Sequence, residues 1–278
     1  MSRTRRLTRL TLDPVRLGED MARADRFRYS DAYSEFTCGS WKGSALCNGS
    51  GDLYDTRIKD YEGAFELTEH GRQMPYVMDL IEEHFHTERL RFVRLGRITP
   101  GSVMVPHRDY LELSGELVRI HIPLRTSDAC YSSEDETVYQ MRLGDVWYID
   151  ASHAHSAVSF ATEDRTHLIL DFATETVREP LRFAPDPGSR AGEFGDAAVP
   201  RSPLTPSQRD ALLGLAAVIS VRNHRDVLAL IIKQYFVSDI SVPEIFDLAC
   251  AVAKSAGQDE ALGKFEWLRT HALVTRLD

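Results

Sequence analysis

The segment from residue 90 to 172 is a succession of short runs rich in β-branched and aromatic residues, and this pattern most constrains the fold. The runs are separated by turn signals such as Thr99-Pro100-Gly101 and Leu143-Gly144-Asp145. In order, they read RFVRLGRI, SVMVPHRDYLEL, VRIHIPL, TVYQMRL, DVWYID, SAVSF and THLILDF. Short strands at this spacing are typical of antiparallel barrels and sandwiches, so we expect a mainly β domain here.

The rest of the chain divides around this segment. Residues 178–203 contain five prolines and several glycines and predict a linker or wrapping loop. Residues 204–278 have helical periodicity, with Ser207 as the expected N-cap of the first helix, and predict a C-terminal helical subdomain. Residues 1–177 are then the barrel domain with N-terminal helical and loop elements. Within them, MPYVMDLIEEHFH predicts a helix, and residues 37–55 predict a loop with a few short strands.

Composition excludes several classes of protein. The chain of 278 residues is 43% hydrophobic and 27% charged, as in ordinary globular proteins, and its net charge of −9 argues against nucleic-acid binding. The basic run at Arg3, Arg5, Arg6 and Arg9 is interpreted as a solvated end. No membrane span or signal segment is evident, so a cytoplasmic location is expected. The four cysteines lack metal-site spacing, and we expect reduced thiols.

The stretch VPHRDYLEL places His107 and Asp109 two positions apart, on the same face of a predicted strand. Such a pair is often only a hydrogen-bonded pair on a surface. His155, after the strand DVWYID, could supply a third ligand and complete the two-histidine, one-carboxylate set of non-haem iron(II) sites. Arg165, ten positions later, could anchor the far carboxylate of 2-oxoglutarate. This spacing favours His155 over His153 as the ligand.

Three stretches carry a more specific signal: HRDYLEL, MRLGDVWYIDASHAHSAVSF and YSEFTCGSWKGSALCNGSG. They resemble the bacterial free L-proline hydroxylases of the 3-hydroxylase and cis-4-hydroxylase types, which are iron(II)- and 2-oxoglutarate-dependent dioxygenases. The resemblance covers nearly the whole chain and implies a double-stranded β-helix, that is, a cupin-like jelly-roll barrel, followed by a helical unit. It also implies Fe(II) ligands at His107, Asp109 and His155, a 2-oxoglutarate salt bridge from Arg165, and O2 as the second co-substrate.

Further residues are candidates for ligand contacts. Arg119 and His121 share a strand face, and the same R-x-H motif resembles a co-substrate contact in the related aspartyl/asparaginyl β-hydroxylases. We assign His121 to 2-oxoglutarate and Arg119 to 2-oxoglutarate or the substrate carboxylate, although a polar stripe on an exposed sheet is an alternative. Arg97 could bind the substrate carboxylate, or be a surface arginine. Trp41 and Asn48 resemble family positions that close over the site.

The function expected from the resemblance is hydroxylation of a free cyclic amino acid, with L-proline preferred at ring C4 or C3 in the cis sense. Succinate and CO2 are the co-products. L-Pipecolate is an alternative substrate, and a non-catalytic cupin-like metal- or ligand-binding protein is an alternative of another class. Halogenation is disfavoured because Asp109 fills the position that a halide would need, and hydroxylation of protein residues is disfavoured by the full-length resemblance. We expect no nucleic-acid or membrane partner, and a monomer or homodimer.

Overall fold

The computed structural model describes residues 3–31, 36–56, 61, 63–109 and 116–273. Its strands are β1 (Arg5–Arg9), β2 (Thr37–Cys38), β3 (Trp41–Asn48), β4 (Glu66–Leu67), β5 (Leu90–Ile98), β6 (Val103–Met104), β7 (Val118–Arg125), β8 (Cys130–Glu134), β9 (Thr137–Tyr139), β10 (Asp145–Ile149), β11 (His155–Ser159), β12 (Arg165–Phe172), β13 (Ser202–Pro203) and β14 (Ser238–Asp239). Its α-helices are α1 (Pro14–Ala24), α2 (Glu69–Arg72), α3 (Pro75–His84), α4 (Pro206–Leu213), α5 (His224–Val237), α6 (Val242–Ser255) and α7 (Asp259–Leu273).

Two antiparallel sheets form the barrel. The major sheet has the strand order β1-β10-β7-β12-β5-β3-β4, and the minor sheet has the order β2-β6-β11-β8-β9. Apart from β3-β4 and β8-β9, neighbours in both orders are not consecutive in the chain, as expected when strands of a jelly roll alternate between two sheets. The predicted fold class, mainly β with helices around a jelly-roll barrel, is confirmed.

The two faces of the major sheet have different environments. On β12, Leu168 and Leu170 point into the larger hydrophobic core, which the sheet shares with α1 and α3. The alternate residues Arg165, His167 and Ile169 line a cavity between the two sheets. Because strand side chains alternate between faces, one side of this sheet is a conventional core and the other is a polar wall.

The C-terminal helices pack against the back of the minor sheet. One continuous core joins Val103 and Val158 of that sheet to Ile231 and Phe246 of the helices. The first of these helices begins with a capping box in which Thr205, not the expected Ser207, is the N-cap and pairs with Gln208. Pro206 at the first helical position explains the difference, since proline favours that site.

Segment 178–203 runs along the barrel with few regular elements. The backbone N–H of Asp186 donates to Leu7 O, and the Ser189 hydroxyl donates to Arg6 O. Farther along, Gln140 N donates to Ala197 O beside β9. These contacts join the segment to β1 and to the residue that follows β9.

Three N-terminal features differ from expectation. The basic run is not a solvated end: residues 5–9 form an edge strand paired with β10, and Arg9 contacts the buried Asp145 at 2.6 Å. Residues 41–48, within the stretch expected as a loop with a few short strands, form a buried strand of eight residues because they pair along β5. Helix α1 was not predicted, although the Asp13 carboxylate caps it by accepting from Val15 N and Arg16 N. Over the described residues, no helix combines the length and apolar character needed to cross a membrane.

Candidate metal centre and ligand cavity

The three predicted metal ligands converge at one corner of the minor sheet. His107 and His155 form an isolated antiparallel bridge, with backbone N···O distances of 3.0 and 2.8 Å. Asp109 follows on the same segment, and its backbone N–H donates to Ala151 O. The Oδ1 of Asp109 lies 3.4 Å from His107 Nε2 and 3.8 Å from His155 Nε2, and the candidate ligand atoms all lie within 4.8 Å of one another. We refer to this group of three side chains, His107, Asp109 and His155, as the claw.

Both imidazoles are oriented by backbone carbonyls. The Nδ1 of His107 is 2.8 Å from Val105 O, and the Nδ1 of His155 is 3.0 Å from His153 O. A carbonyl can only accept, so Nδ1 carries a proton in both rings, and Nε2 is the nitrogen that faces Asp109. Burial also lowers the pKa of His155 to about 4, which keeps this ring neutral at physiological pH.

His153, the neighbouring histidine that sequence spacing disfavoured as a ligand, faces elsewhere. Its Nδ1 lies 2.9 Å from Asp135 Oδ2, and its Nε2 lies 3.8 Å from Asp150 Oδ2. The structure therefore brings His155, and not His153, to Asp109.

Asp109 is held on its second oxygen by Arg119. The Nη1 of Arg119 donates to Asp109 Oδ2, while the two histidines face Oδ1. Burial alone would raise the pKa of Asp109, but the charge of Arg119 and the hydrogen bond with His107 outweigh it and hold the pKa well below its ordinary value. The carboxylate is thus ionised and directed before any ligand binds.

The claw opens on a cavity between the two sheets. The minor sheet and its adjoining segment contribute Met104, Ser132, Ser133, Tyr139, Ser156, Ala157 and the three candidate ligands. The major sheet and neighbouring residues contribute Trp41, Arg94, Gly96, Ile98, Arg119, His121, Met141, Ile149, Arg165, His167 and Ile169.

Arg165 lies fully inside this cavity wall. Its Nη2 donates to Ser132 Oγ at 2.7 Å and its Nε donates to His167 Nε2 at 2.9 Å. Across the described ranges of the chain, no carboxylate lies within ion-pair distance of this guanidinium. Burial lowers its pKa from the ordinary value, but arginine remains charged, so the site offers an uncompensated positive charge.

His121 lies near the same end of the cavity, with its ring 5.7 Å from that of His167 in an edge-to-face arrangement. Burial, followed by the charges of neighbouring arginines, lowers the pKa of His121 well below its ordinary value. The ring is therefore a neutral hydrogen-bonding group on the cavity wall.

Arg94, on β5, also lines the cavity, although the sequence analysis did not select it. It shares the inner face of that strand with Gly96 and Ile98, and its Nη1 donates to Asp171 Oδ2 at 2.9 Å. The signal in the sequence was the two-residue alternation Arg94, Gly96, Ile98, which places Arg94 and Arg97 on opposite faces.

Two predicted substrate residues are not brought to the cavity. Arg97 points to the outer face of β5, where its Nη2 contacts Asp25 at 2.9 Å and its guanidinium lies 4.2 Å from the centre of the Tyr29 ring. The amide of Asn48 donates to Asp52 O and Asp55 O and organises the loop after β3. Trp41 does lie in the cavity wall, as expected. Arg97 is therefore misplaced as a substrate contact, and the reason is strand alternation.

Comparisons with known proteins agree with these observations. Residues 16–175 match the family described as aspartyl/asparaginyl beta-hydroxylase, and residues 182–277 match the family described as L-proline 3-hydroxylase, C-terminal. The chain is 34% identical to L-proline cis-3-hydroxylase 1 from Streptomyces sp, over 97% of this chain and 94% of the relative. It is 30% identical to L-proline cis-4-hydroxylase from Rhizobium meliloti (strain 1021), over 93% and 91% of the two chains.

Among solved structures, an oxidoreductase of the 2OG-Fe(II) oxygenase family from Burkholderia pseudomallei superposes with a TM-score of 0.40 at 13% identity, covering 59% of this chain and 80% of that chain. The sequence relatives, which span both the barrel and the helices, are the matches that define the family. The chain belongs to the family of bacterial L-proline hydroxylases.

Proposed function

We propose that this protein is an iron(II)- and 2-oxoglutarate-dependent dioxygenase that hydroxylates free L-proline in cis at ring C3 or C4. Succinate and CO2 are the co-products. The observation that carries the proposal is the claw of His107, Asp109 and His155, which opens on a cavity with Arg165 and Arg94 in its opposite wall.

The claw suits a first-row divalent metal. Two imidazoles whose Nε2 atoms face the site, together with one ionised carboxylate, are the donor set of non-haem iron(II) sites. Three protein ligands leave positions for a chelating co-substrate and for dioxygen. Bound here, iron(II) with 2-oxoglutarate would supply the activation of dioxygen needed to insert a hydroxyl into an unactivated C–H bond.

The residues around Arg165 suit the distal carboxylate of 2-oxoglutarate. A buried guanidinium that is supported by Ser132 and His167, but has no carboxylate partner in the described chain, provides a two-pronged site for an anion. The neutral ring of His121 can contribute a further hydrogen bond. These residues orient the co-substrate so that its 2-oxo acid end faces the claw.

The substrate carboxylate falls to Arg94 in this proposal, because Arg97 points away from the cavity. Arg94 has one nitrogen on Asp171 and its guanidinium carbon lies 5.1 Å from the centre of the Phe92 ring, while Trp41 and Ile98 line the same cavity. Those apolar groups can pack against a pyrrolidine ring and exclude water. Arg119, whose Nε and Nη1 contact Asp171 and Asp109, supports the metal ligand in this arrangement rather than the substrate.

A product assay tests the proposal. The protein is loaded with iron(II) and 2-oxoglutarate without oxygen, then exposed to air with L-proline, L-pipecolate or an acyclic amino acid, and succinate and the hydroxylated carbon are identified by NMR. We expect proline-dependent succinate and a single cis-hydroxyproline isomer. Absence of hydroxylation for every imino acid would contradict the substrate assignment. Ligand binding with no succinate would favour the non-catalytic alternative.

A further inference from the structure

We infer that Asp171 is a positioning residue that joins the metal carboxylate to the arginine proposed for the substrate. It is fully buried in the major sheet and contacts two of the arginines that line the cavity, Arg94 and Arg119. Its Oδ1 accepts from Arg119 Nε at 2.7 Å, and its Oδ2 accepts from Arg94 Nη1 at 2.9 Å. The link to the substrate rests on the proposed function, whereas the link to the metal site does not.

The sheet register places this residue between the two arginines. Strand β12 lies between β7 and β5, and Asp171 is directly opposite Arg119 on β7. On the other side, Arg94 is opposite Ile169, two residues from Asp171 on the same face. Direct and diagonal neighbours of this kind are within reach of long side chains, so the register itself sets both contacts.

The contact of Arg119 Nη1 determines which oxygen of Asp109 can bind a metal. Because Arg119 contacts Oδ2, only Oδ1 faces the two imidazole Nε2 atoms. Asp109 is thereby directed to bind through one oxygen, which leaves the remaining coordination positions for other ligands. A guanidinium has a planar, rigid fork, so its contact with Asp171 through Nε fixes the direction of the Nη1 that holds Asp109.

Charge balance also depends on Asp171. The buried row contains the guanidinium groups of Arg94 and Arg119 and the carboxylates of Asp171 and Asp109. Removing the charge of Asp171 leaves two buried cations to compete for Asp109. We then expect Arg94 to shift towards Asp109, so that the arginine proposed for the substrate is no longer held apart from the metal ligand.

The test compares Asp171→Asn with Asp145→Asn. Asp145 is also fully buried in the major sheet and also pairs with an arginine, but that arginine, Arg9, does not line the cavity, whereas both arginine partners of Asp171 do. Affinity for Mn(II) is measured by EPR on the purified protein without 2-oxoglutarate or proline, and Co(II) absorption reports the coordination. We expect Mn(II) affinity about tenfold weaker in Asp171→Asn, with a changed Co(II) spectrum, and wild-type values in Asp145→Asn.

A second variant keeps the inference testable if Asp171→Asn does not fold. Arg119→Lys retains the charge, but a single ammonium group cannot reproduce the two-sided contact, so the same loss of Mn(II) affinity is expected. Mn(II) affinity within twofold of wild type in a folded Asp171→Asn or Arg119→Lys protein would overturn the inference. Because these measurements need no substrate, they can fail while proline hydroxylation stands, and the reverse also holds.

Discussion

The two walls of the cavity differ in how they supply function. The minor sheet contributes the claw, in which two ligands come from one short segment and the third is bridged to it by backbone hydrogen bonds. The major sheet contributes charged groups from separate strands, with Arg94 on β5, Asp171 on β12 and Arg119 on β7. One wall is built by local geometry and the other by the register of three strands.

This difference implies a division of tasks. Backbone carbonyls fix the histidines of the claw, so the metal site should tolerate changes in the opposite wall, apart from the link through Arg119. The major sheet, in contrast, should decide what the cavity accepts. The predictions below test whether metal binding and substrate choice separate in this way.

The largest effect is expected for the minor wall. His155→Ala removes an imidazole from the claw and should weaken iron(II) binding and lower kcat/KM for proline by more than about 100-fold. This loss is larger than the one usually seen when a residue that only hydrogen-bonds to a metal ligand is replaced. His153→Ala is the matched control, since that ring faces Asp135 and should leave both quantities within a fewfold of wild type. Equal losses in the two variants would contradict the ligand assignment.

The next effect concerns the major wall. Arg94→Gln should raise the KM for proline roughly 10- to 100-fold, because a charge-assisted hydrogen bond contributes about 1.5–3 kcal/mol, and should leave iron(II) affinity nearly unchanged. Arg97→Gln, on the opposite face of the same strand, should lower the thermal midpoint without changing this KM. A larger KM effect in Arg97→Gln would reverse the assignment of the two arginines.

A smaller effect is expected for ring size. A Cβ at Gly96 would lie 2.8 Å from Ile169 Cδ1 and 3.3 Å from Trp41 Cζ2, inside the cavity wall. Gly96→Ala should therefore reduce kcat/KM for L-pipecolate about tenfold more than for L-proline, since one methylene is worth ~1–3 kcal/mol in a tight site. Gly18→Ala, where an added Cβ has no neighbour within 4 Å, is the control and should not change this ratio.

The smallest effect is expected for the pH dependence of the free energy of unfolding. Burial lowers the pKa of His121 and His167 well below the ordinary value, so both stay neutral when folded, whereas the unfolded chain binds protons near pH 6.5. Their contribution to stability is complete above that pH and is lost as the pH falls. Each histidine adds a slope of at most about 1.4 kcal/mol per pH unit.

Urea unfolding of the metal-free protein between pH 8 and pH 5 measures that slope. His167→Gln should lower this slope by at most about 1.4 kcal/mol per pH unit, the contribution of one bound proton. An unchanged slope in His167→Gln would show that this ring is not a buried neutral group.

The sequence predicted the claw better than the opposing wall, and the reason is locality. His107 and Asp109 are two positions apart on one predicted strand, so a shared face was expected from strand alternation alone, although β6 ends at Met104 and His107 pairs only as an isolated bridge. Choosing between Arg94 and Arg97 requires knowing which face of β5 meets the cavity, and a one-residue error reverses the answer. The role of Asp171 requires the pairing of β12 with both neighbours, which no local pattern encodes.

The elements show the same contrast. The helices after residue 204 have clear periodicity, and they form within the expected segment. The strand at residues 5–9 carries arginines at positions 5, 6 and 9, so its pairing with β10 depends on partners far along the chain. Residues 41–48 are rich in small residues, and they form a strand because β5 pairs with them, with one register shift between Ala45 and Cys47.

The core shared by the minor sheet and the C-terminal helices has a consequence for how the chain can be divided. Val103 and Val158 are fully covered by this joint core, although the two family matches meet between residues 175 and 182. A polypeptide ending at residue 203 would expose the apolar back of the strands that carry the claw and would aggregate rather than yield a minimal enzyme. The boundary between the two family matches therefore does not separate two independent hydrophobic cores, because the minor sheet and the C-terminal helices share one.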